Sequence, residues 1–527
     1  MDLIVDNLRI PVEKDGIDEY VKAASQKMKI REESVRLVKI LSKSLDMSDK
    51  EQFYYEVSIV ISVPDGLNNK ENFPAYAGKT KADRKPKNRA TRPIIIGFGP
   101  AGMFAALELI EYGFKPLIFE RGKNIEERSE DVRRFIKEKT LNPESNIQFG
   151  EGGAGSFSDG KLFSRAKNSE YINRALDTLI KFGAPEEIGY VAKPHLGTDV
   201  LCRIVRNIRN HILERGGDIR YCSKMTDMLI SDDKAVGVVI NNEEEYRASS
   251  VYLAIGHSAR DTFEMLHKKG VVIEQKPISV GVRVEHPSEI INLIRYGEKY
   301  KNFSGIGAAA YSFNYIDRKI GRGVQTFCMC PGGEVINASS ENGMLVVNGM
   351  SYSSRSSAFS NSAIIVTCHT DDYGSTHPLA GIEFQKRMER KAFNAGGGRW
   401  EVPAQNLADF LSGRPSCNLN KNSFAMGAVA ADMREIFPKF VSEALVSAFG
   451  AWEKDYPLFI SRHATLLGAE TRTSAPIRIK RDEKYESINT KNLYPIGEGS
   501  GYTGGIMSSA VDAIKAVERS LSIGGSL

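Results

Sequence analysis

The sequence predicts an α/β fold in which a parallel sheet is interrupted by an inserted α+β domain and preceded by a small α+β domain. Two glycine-rich segments, at 97–102 and 497–505, each follow a short apolar strand and lead into a helix. Alternating strands and one helix fill about the first ninety residues. With 527 residues, 41% of them hydrophobic, the chain is long enough for two or three such domains.

Charge and cysteine usage favour a cytoplasmic protein. The amino terminus, MDLIVDNLRI, is acidic where a secretory signal is basic, and six cysteines show no framework spacing. The net charge is +5, yet Lys79 to Arg92 holds seven basic residues and one acidic residue, so the remaining chain carries about −1. We interpret this segment as a solvated linker, because no aromatic residues interleave its charges as in a nucleic-acid contact. Neither a membrane nor a nucleic-acid partner is expected.

The first domain is predicted from its alternation. LIVDNLRI, SVRLVKILSKSL and FYYEVSIVISV predict strands, and DEYVKAASQKMKI predicts a helix. No catalytic constellation is visible in this domain.

A strand, a glycine turn and a helix follow the linker. Ile94 to Ile96 form a β-branched run typical of a strand buried on both faces, and Met103 to Tyr112 have helical spacing. Between them, Gly97 permits a tight turn, Gly99 allows close backbone approach to a diphosphate, and Gly102 allows close helix packing. The helix start favours that anion through its N–H groups and dipole.

The acidic residue that ends the next strand limits which dinucleotide can bind. Glu120 closes KPLIFE, twenty-one residues after Gly99, where a carboxylate accepts hydrogen bonds from both ribose hydroxyl groups. Such a carboxylate disfavours a 2′-phosphate, so the site is predicted to hold FAD or NAD rather than NADP. Glu108 and Glu111 exclude a transmembrane interpretation of the same apolar run.

Three later segments favour a flavin. A second glycine-rich loop, NIQFGEGGAGSFSDGKLFSR, follows the helix NIEERSEDVRRFIKE. A meander then returns to a strand ending at Ala254 to Gly256, and NLYPIGEGSGYTGGIMSSAVDAIKAV supplies a further strand and a glycine-led helix. An NAD enzyme without flavin explains the first glycine turn but leaves the carboxyl-terminal segment unexplained.

These segments resemble the single-Rossmann FAD-dependent oxidoreductases of the glutathione-reductase superfamily, and within it a group of FAD-dependent dehydrogenases. The resemblance spans about 91 to 520 and rests on GFGPAGMFAAL, QFGEGGAGSFSDGKL, KPHLGTDVL, LAIGHSARDTF, GVRVEHP, CMCPGGEVINASSENG, NGMSYSSR, ETRTSAPIRI and GEGSGYTGGIMSSA. The amino-terminal domain is also similar. We therefore predict an N-terminal α+β domain with a basic linker (1–90), a Rossmann-like FAD-binding domain in two parts (91–275 and 466–527), and an inserted α+β substrate or cap domain (276–465).

The resemblance implies which residues hold FAD. The first glycine turn and Glu120 bind its ADP half, Met225 presents its backbone to adenine, and the helix from 505 to 517 directs its dipole at the flavin pyrimidine carbonyl. Other residues line the diphosphate and ribityl portions. The full predicted set is Gly97, Gly99, Pro100, Ala101, Gly102, Glu120, Arg121, Gly153, Ala154, Gly155, Ser156, Asp159, Gly160, Lys161, Met225, Ala254, Ile255, Gly256, Gly497, Glu498, Gly504, Gly505 and Ile506.

Two residues of the middle region are candidates for chemistry, each with a structural alternative. Arg283 shares one face of an alternating strand with Gly281 and Glu285, and either presents its charge to the flavin or lies on a surface strand. His195 precedes a predicted helix and is either a proton donor or a structural partner.

Basic residues near the carboxyl terminus are candidates for substrate binding. Arg472, Arg478 and Arg481 fall in one predicted strand, where they either bind a carboxylate or phosphate or face solvent. Lys161 and Arg165 of the second glycine loop contact either a cofactor phosphate or the substrate.

Cysteine and histidine spacing predicts no metal site and no thiol relay. Cys328 and Cys330 are interpreted as two buried thiols on one strand face, because a single-residue spacer strains a disulfide ring. His369 and His377 flank two aspartates with no metal-ligand spacing, which favours a turn.

Together these features predict an FAD-dependent oxidoreductase, a dehydrogenase or reductase that performs two-electron or hydride transfer at flavin N5 on a small-molecule substrate. NAD(P)H is expected as a transient electron donor, because no second GxGxxG with its own acidic partner is present to hold it. A flavin-dependent hydroxylase or saturase, and a flavoprotein with an RNA-modifying or binding role, remain the alternatives. The substrate and the oligomeric state are not specified by the sequence.

Overall fold

The computed structural model describes residues 1–64, 72–77, 92–162 and 170–523. The basic segment predicted as a linker, apart from Arg92, and Arg165 lie outside the described residues.

The amino-terminal unit is a three-stranded antiparallel sheet with one helix, in the element order predicted. It comprises β1 (Asp2–Pro11), α1 (Ile17–Met28), β2 (Arg36–Asp46) and β3 (Tyr54–Ser62), in the sheet order β1-β3-β2. Its inner side chains form a core of their own, which includes Val5, Tyr20 and Ile59. The unit docks on the rest of the molecule through Phe53, whose ring stacks on Tyr300 at 4.3 Å between centroids.

A parallel sheet is the centre of the second unit. In chain order its first part contains β4 (Ile94–Ile96), α2 (Pro100–Glu111), β5 (Leu117–Phe119), α3 (Ile125–Glu138), α4 (Glu170–Lys181), α5 (Gly197–Glu214), β6 (Asp218–Arg220), β7 (Met225–Ser231), β8 (Lys234–Ile240), β9 (Glu244–Arg247), β10 (Val251–Leu253) and α6 (Arg260–Lys268). Strands β7 to β9 form a separate antiparallel sheet. All residues of β4 are buried, as its β-branched run predicts.

The inserted unit is built on a seven-stranded sheet. Its elements are β11 (Ile273–Gln275), β12 (Ile278–Pro287), α7 (Ser288–Tyr300), β13 (Asn314–Asp317), β14 (Arg322–Cys330), β15 (Glu334–Asn337), β16 (Val347–Met350), β17 (Phe359–Cys368), α8 (Ala380–Ala395), β18 (Val402–Asn406), α9 (Leu407–Leu411), β19 (Ala428–Ala430), α10 (Met433–Ile436), α11 (Lys439–Asp455), β20 (Thr465–Glu470) and β21 (Ile477–Ile479). The sheet order is β13-β14-β17-β12-β20-β18-β19. Val280, Val282 and Val284 of β12 point into the core that α8 and α11 cover.

The chain crosses between the two sheets on a short ribbon and then completes the parallel sheet. Strands β11 and β21 pair to form the ribbon. The chain then continues through β22 (Leu493–Pro495) and α12 (Ile506–Ile523), which gives the parallel order β22-β10-β4-β5-β6. The carboxyl ends of these strands therefore share one edge, where open α/β sheets bind their ligands.

Two sequence predictions about this crossing are corrected. The boundary predicted after residue 465 falls at the start of β20, which pairs with β12 and β18, so the chain leaves the seven-stranded sheet only after Glu470. The strand predicted to carry the three arginines is broken, and only Arg478 lies on a strand. The main chain turns from one sheet to the ribbon here, and Pro476 has no N–H to extend a ladder.

No helix in the described parts of the chain has both the length and the apolar character needed to cross a membrane.

Candidate functional site

A cavity of about 1130 Å³ lies between the carboxyl edge of the parallel sheet and one face of the seven-stranded sheet. Most of the predicted cofactor residues line it. They are Gly97, Gly99, Pro100, Ala101, Glu120, Arg121, Gly153, Ala154, Gly155, Asp159, Gly160, Lys161, Met225, Ala254, Ile255, Gly256, Glu498, Gly504, Gly505 and Ile506. Gly102, Ser156 and Gly497 are not part of the lining.

The glycine turn after β4 forms a cradle at the start of α2. Gly97 has φ +95°, and an added Cβ would lie 2.4 Å from the carbonyl oxygen of Ala254. A Cβ on Gly102 would lie 2.0 Å from the carbonyl oxygen of Gly97. At Gly99 the nearest protein atom would be 3.4 Å away, an ordinary contact, so the protein itself leaves room for a side chain there.

The start of α2 is open to an anion. Gly99 is its N-cap and provides no side-chain cap, and Pro100 occupies the first turn without an N–H group. The next N–H groups of the helix are therefore not taken by a capping side chain, and the helix dipole favours negative charge at this point.

Glu120 is a buried carboxylate held in one orientation by the main chain. It is 4% exposed. Its Oε2 accepts a hydrogen bond from the Phe98 N–H at 2.8 Å, and its Oε1 accepts from the N–H groups of Gly122 and Gly150 at 2.9 and 3.0 Å. A carboxylate offers roughly four acceptor positions, so capacity remains for a hydroxyl group in the cavity that Glu120 lines.

A residue that sequence analysis missed, Arg128 of α3, holds the second glycine loop. Its guanidinium is fully buried and donates to the carbonyl oxygens of Asn146, Ile147, Gly150 and Glu151 at 2.6–3.2 Å. Burial lowers the pKa of Arg128 to about 10, which leaves it charged at neutral pH. No sequence signal distinguishes it from its solvated neighbours, because the loop that buries it lies elsewhere in the chain.

Ion pairs close the end of the cavity next to Met225. Arg121 pairs with Glu144 at 2.6 Å and with Asp261 at 3.0 Å, and Lys224 pairs with Asp261 at 2.6 Å. Burial alone would raise the pKa of Asp261, but the Arg121 and Lys224 charges outweigh it and lower the pKa to about 2. Arg121 is thus committed to carboxylates of the protein.

The carboxyl-terminal glycine segment forms the opposite wall. Burial raises the pKa of Glu498 to about 7. Added Cβ atoms on Gly504 and Gly505 would meet no protein atom within 4 Å, so open space lies before α12. Behind this wall, Arg481 donates to Asp512 at 2.6 Å, which makes it an internal ion pair rather than a ligand group.

Arg283 is placed differently from either prediction. It lies on a central strand and is fully buried, so the surface-strand alternative is wrong. Its side chain is also absent from the cavity lining. Each guanidinium nitrogen donates inside the protein: to Asn361 Oδ1, to Asn348 Oδ1 and Glu470 Oε2, and to the Cys328 carbonyl.

Glu470, which sequence analysis missed, is the cavity-lining residue that pairs with Arg283. It lines the cavity and accepts from Arg283 through Oε2 at 2.8 Å. Burial raises the pKa of Glu470. Glu470 opens the motif ETRTSAPIRI, but only the pairing of β20 with β12 shows that it shares a face with Arg283.

Arg472 lines the cavity, but its donors are committed to protein groups. They reach Glu389 at 2.8 and 3.0 Å, Ser340 at 2.6 Å, Ser258 at 3.2 Å and Glu341 at 3.3 Å. Arg472 therefore forms part of the cavity wall.

His195 lies behind the cavity lining rather than in it. It opposes Lys161 in an isolated β-bridge. Burial, reinforced by the Arg355 charge, lowers the pKa of His195 to about 4, so the ring is neutral at pH 7. Nearby, in the first turn of α5, Asp199 accepts a hydrogen bond from the Ser353 N–H at 2.8 Å.

The two cysteines of β14 differ in environment, which corrects the prediction of two buried thiols. A β-bulge between Phe327 and Cys330, with φ +42° at Cys328, leaves Cys328 exposed and Cys330 buried, although both residues line the cavity. Protein still surrounds the Cys328 thiol, and this burial raises its pKa to about 12. His369 caps a 3-10 turn at 370–373, as predicted.

Comparison with known proteins identifies the inserted unit and one close relative. Residues 277–473 match the family model described as "FAD-dependent protein, C-terminal domain-like". An uncharacterized protein of Clostridium beijerinckii is 40% identical over 527 residues, which cover 98% of each chain.

Solved structures are more distant. CtdE in complex with FAD has a TM-score of 0.32 at 13% identity, with 81% of this chain and 83% of that chain covered. A geranylgeranyl bacteriochlorophyll reductase-like protein of Thermoplasma acidophilum has a TM-score of 0.37 at 12% identity, covering 82% and 79%. The flavin-dependent brominase Bmp2 has a TM-score of 0.37 at 14% identity, covering 83% and 80%. At these scores the three structures define neither the fold nor the activity of this chain.

Proposed function

We propose that this chain is an FAD-dependent oxidoreductase acting on a small molecule. It belongs to one family with the Clostridium beijerinckii relative, and its residues 277–473 match the model of an FAD-dependent protein domain. The observation that carries the proposal is one continuous cavity, which has the α2 cradle on one side and the seven-stranded sheet on the other. Its volume of about 1130 Å³ exceeds the range of roughly 300–1,000 Å³ typical for one drug-sized ligand. A dinucleotide and a small substrate together need this larger space.

The residues present fit FAD. At Gly99 the protein tolerates a Cβ, so the glycine there suits a ligand that approaches the backbone closely. The α2 start would hold the diphosphate, Glu120 the ribose, and the segment at 497–505 the flavin end. When bound, FAD supplies two-electron chemistry at its flavin ring.

The polar groups of the sheet face would serve the substrate. Glu470 lies in the cavity and is fixed by Arg283, and burial raises its pKa. Reducing equivalents would come from NAD(P)H bound transiently at the cavity.

The test is FAD binding by the purified protein and by matched glycine variants. Gly99→Ala places a methyl group in the cradle, whereas Gly450→Ala adds one on α11 where no protein atom lies within 4 Å. We expect the wild type and Gly450→Ala to show flavin absorption or to regain it with added FAD. Gly99→Ala should bind FAD at least about tenfold more weakly with an unchanged apoprotein Tm.

Failure of the wild type to bind FAD would overturn the proposal. Anaerobic bleaching of the flavin by NADH or NADPH, without substrate-dependent oxygen uptake, supports a reductase. Rapid substrate-dependent oxygen uptake would point to a hydroxylase instead.

A further inference from the structure

The end of the cavity next to the seven-stranded sheet is polar and is assembled from four segments. We call it the polar end, and it consists of Asp159, Lys161, Cys328, Asn348 and Glu470, all of which line the cavity. These residues come from the second glycine loop, the β14 bulge, β16 and the end of β20, with the guanidinium of Arg283 directly behind them.

Lys161 is the one member of this group whose charge is not hydrogen-bonded within the described residues. Its Nζ has less than 1 Å² of accessible surface and no hydrogen-bond partner there. The nearest carboxylate oxygen, on Asp159, is 3.6 Å away. Asp159 is already engaged by Arg355 at 2.6 Å and by the Ser351 hydroxyl. The Lys161 side chain as a whole is 37% exposed, but its Nζ atom is covered and has no acceptor among the described residues. The cavity is where an acceptor can be supplied.

The charges around the polar end leave an excess of one positive charge. Lys161, Arg283 and Arg355 are cations, and Asp159 and Glu470 are the carboxylates that face them. His195, packed behind Lys161, is neutral at pH 7 because burial lowers its pKa to about 4. The thiols of Cys328 and Cys330 stay protonated because burial raises the pKa of each. A ligand with one negative charge would neutralise the site.

A second donor faces the same space. The Oδ1 of Asn348 accepts from Arg283 at 3.0 Å and from the Gly349 N–H at 2.8 Å. The amide Nδ2 is left as the polar atom that Asn348 can offer to the cavity. An ammonium and an amide donor together suit a carboxylate group.

We propose that the polar end binds the carboxylate of the substrate through the Lys161 ammonium, and that the substrate is therefore a small carboxylic acid. The inference rests on the proposed FAD-dependent function, because it assigns the substrate of the same cavity. A phosphate ester carries nearly two charges at pH 7, more than the local excess. Glu470, held by Arg283, would lie beside the bound acid.

The experiment titrates the FAD-loaded protein with benzoate, acetate, benzamide and inorganic phosphate, and follows the flavin absorption spectrum. Benzamide has the shape of benzoate without its charge. We expect saturable spectral changes with a carboxylate, and at least about tenfold weaker binding of benzamide and phosphate. Equal binding of benzoate and benzamide, tighter binding of phosphate, or no saturable change with either carboxylate would overturn the inference.

Variants then locate the site. Lys161→Met should weaken carboxylate binding at least about tenfold while the flavin remains bound. Lys276→Met removes another cavity-lining lysine, on the ribbon side, and should leave carboxylate binding at the wild-type level. Unchanged binding in Lys161→Met, or loss only in Lys276→Met, contradicts the assignment.

The experiments distinguish a failure of the proposed FAD-dependent function from a failure of the proposed carboxylate site. A wild-type protein that does not bind FAD contradicts the proposed function. A protein that binds FAD but does not distinguish benzoate from benzamide contradicts only the carboxylate site. Comparing benzoate with benzamide on the wild-type protein shows whether binding requires a negative charge, even if Lys161→Met binds FAD poorly.

Discussion

At the scale of single residues, the site depends on side chains that the main chain holds in place. Glu120 is the clearest case, because three backbone N–H groups from separate segments converge on one carboxylate. These bonds join the turn after β4, the residue after β5 and the second glycine loop. The carboxylate therefore connects these segments, besides being the group proposed to hold the ribose.

We predict that Glu120→Ala destabilises the protein even without cofactor. Loss of the carboxylate leaves the N–H groups of Phe98, Gly122 and Gly150 without their acceptor, and each unsatisfied buried group costs roughly 1–3 kcal/mol. The apoprotein Tm should fall and FAD binding should be lost. Glu120→Gln keeps one acceptor oxygen and should lie between the two, so equal Tm values for Glu120→Ala and the wild type would argue against this role.

At the scale of elements, β12 places charged side chains at the centre of the seven-stranded sheet. Its valines face the helix-covered core, while Arg283 and Glu285 lie on the opposite face. Glu285 accepts hydrogen bonds from the N–H, at 2.8 Å, and the hydroxyl of Ser423, which ties the segment before β19 to the strand. Burial, supported by the nearby Glu334 charge and opposed by the Ser423 bonds and Arg283, raises the pKa of Glu285 to about 7 from 4.5.

This shift predicts a pH dependence of stability. Below pH 4.5 the Glu285 carboxyl is protonated in both the folded and the unfolded state. As the pH rises toward 7, only the unfolded chain ionises. The free energy of unfolding therefore falls by up to roughly 3 kcal/mol over this range. Glu285→Gln removes this loss, and its Tm should fall less than that of the wild type between pH 5 and pH 8. The exposed Glu443→Gln serves as the control and should follow the wild type. A Glu285→Gln profile parallel to the wild type would show that Glu285 titrates normally.

At the scale of the whole molecule, a buried ion network joins the two sheets. Glu389 of α8 is fully buried and pairs with Arg260 of α6 at 2.7 Å and with Arg472 after β20 at 2.8 Å. Burial would raise the pKa of Glu389, but the two guanidinium charges hold it well below the usual value. The network also forms the cavity wall at Arg472, so the relative position of the sheets and the shape of the site depend on it.

Removing the shared carboxylate should weaken this connection. Glu389→Ala leaves two buried guanidinium groups without their main partner, at a cost of roughly 3–5 kcal/mol. We expect a marked fall in Tm together with weaker FAD binding, measured on the purified variant. Glu383→Ala, on an exposed position of the same helix, should change neither property. A Tm for Glu389→Ala close to that of the control would mean that the network contributes little.

Local patterns predicted the elements of the site well. The β-branched run of β4, the glycine spacing and the position of Glu120 are short-range features, because strand, turn and helix follow directly along the chain. The ion-pair and hydrogen-bond partners of the arginines could not be predicted from such local patterns. Arg283 and Arg472 are equivalent to solvated arginines in sequence, and their partners come from parts of the chain more than forty residues away.

What the sequence by itself determined is therefore the parallel-sheet unit with its glycine cradle and acidic partner, since steric limits on the backbone act between near neighbours. Tertiary structure alone decided that Arg283 and Arg472 form internal ion pairs and that Glu470 faces the cavity. The physical reason is that a buried charge takes its role from the counter-charges and hydrogen-bond partners around it, and folding brings those together from distant parts of the chain.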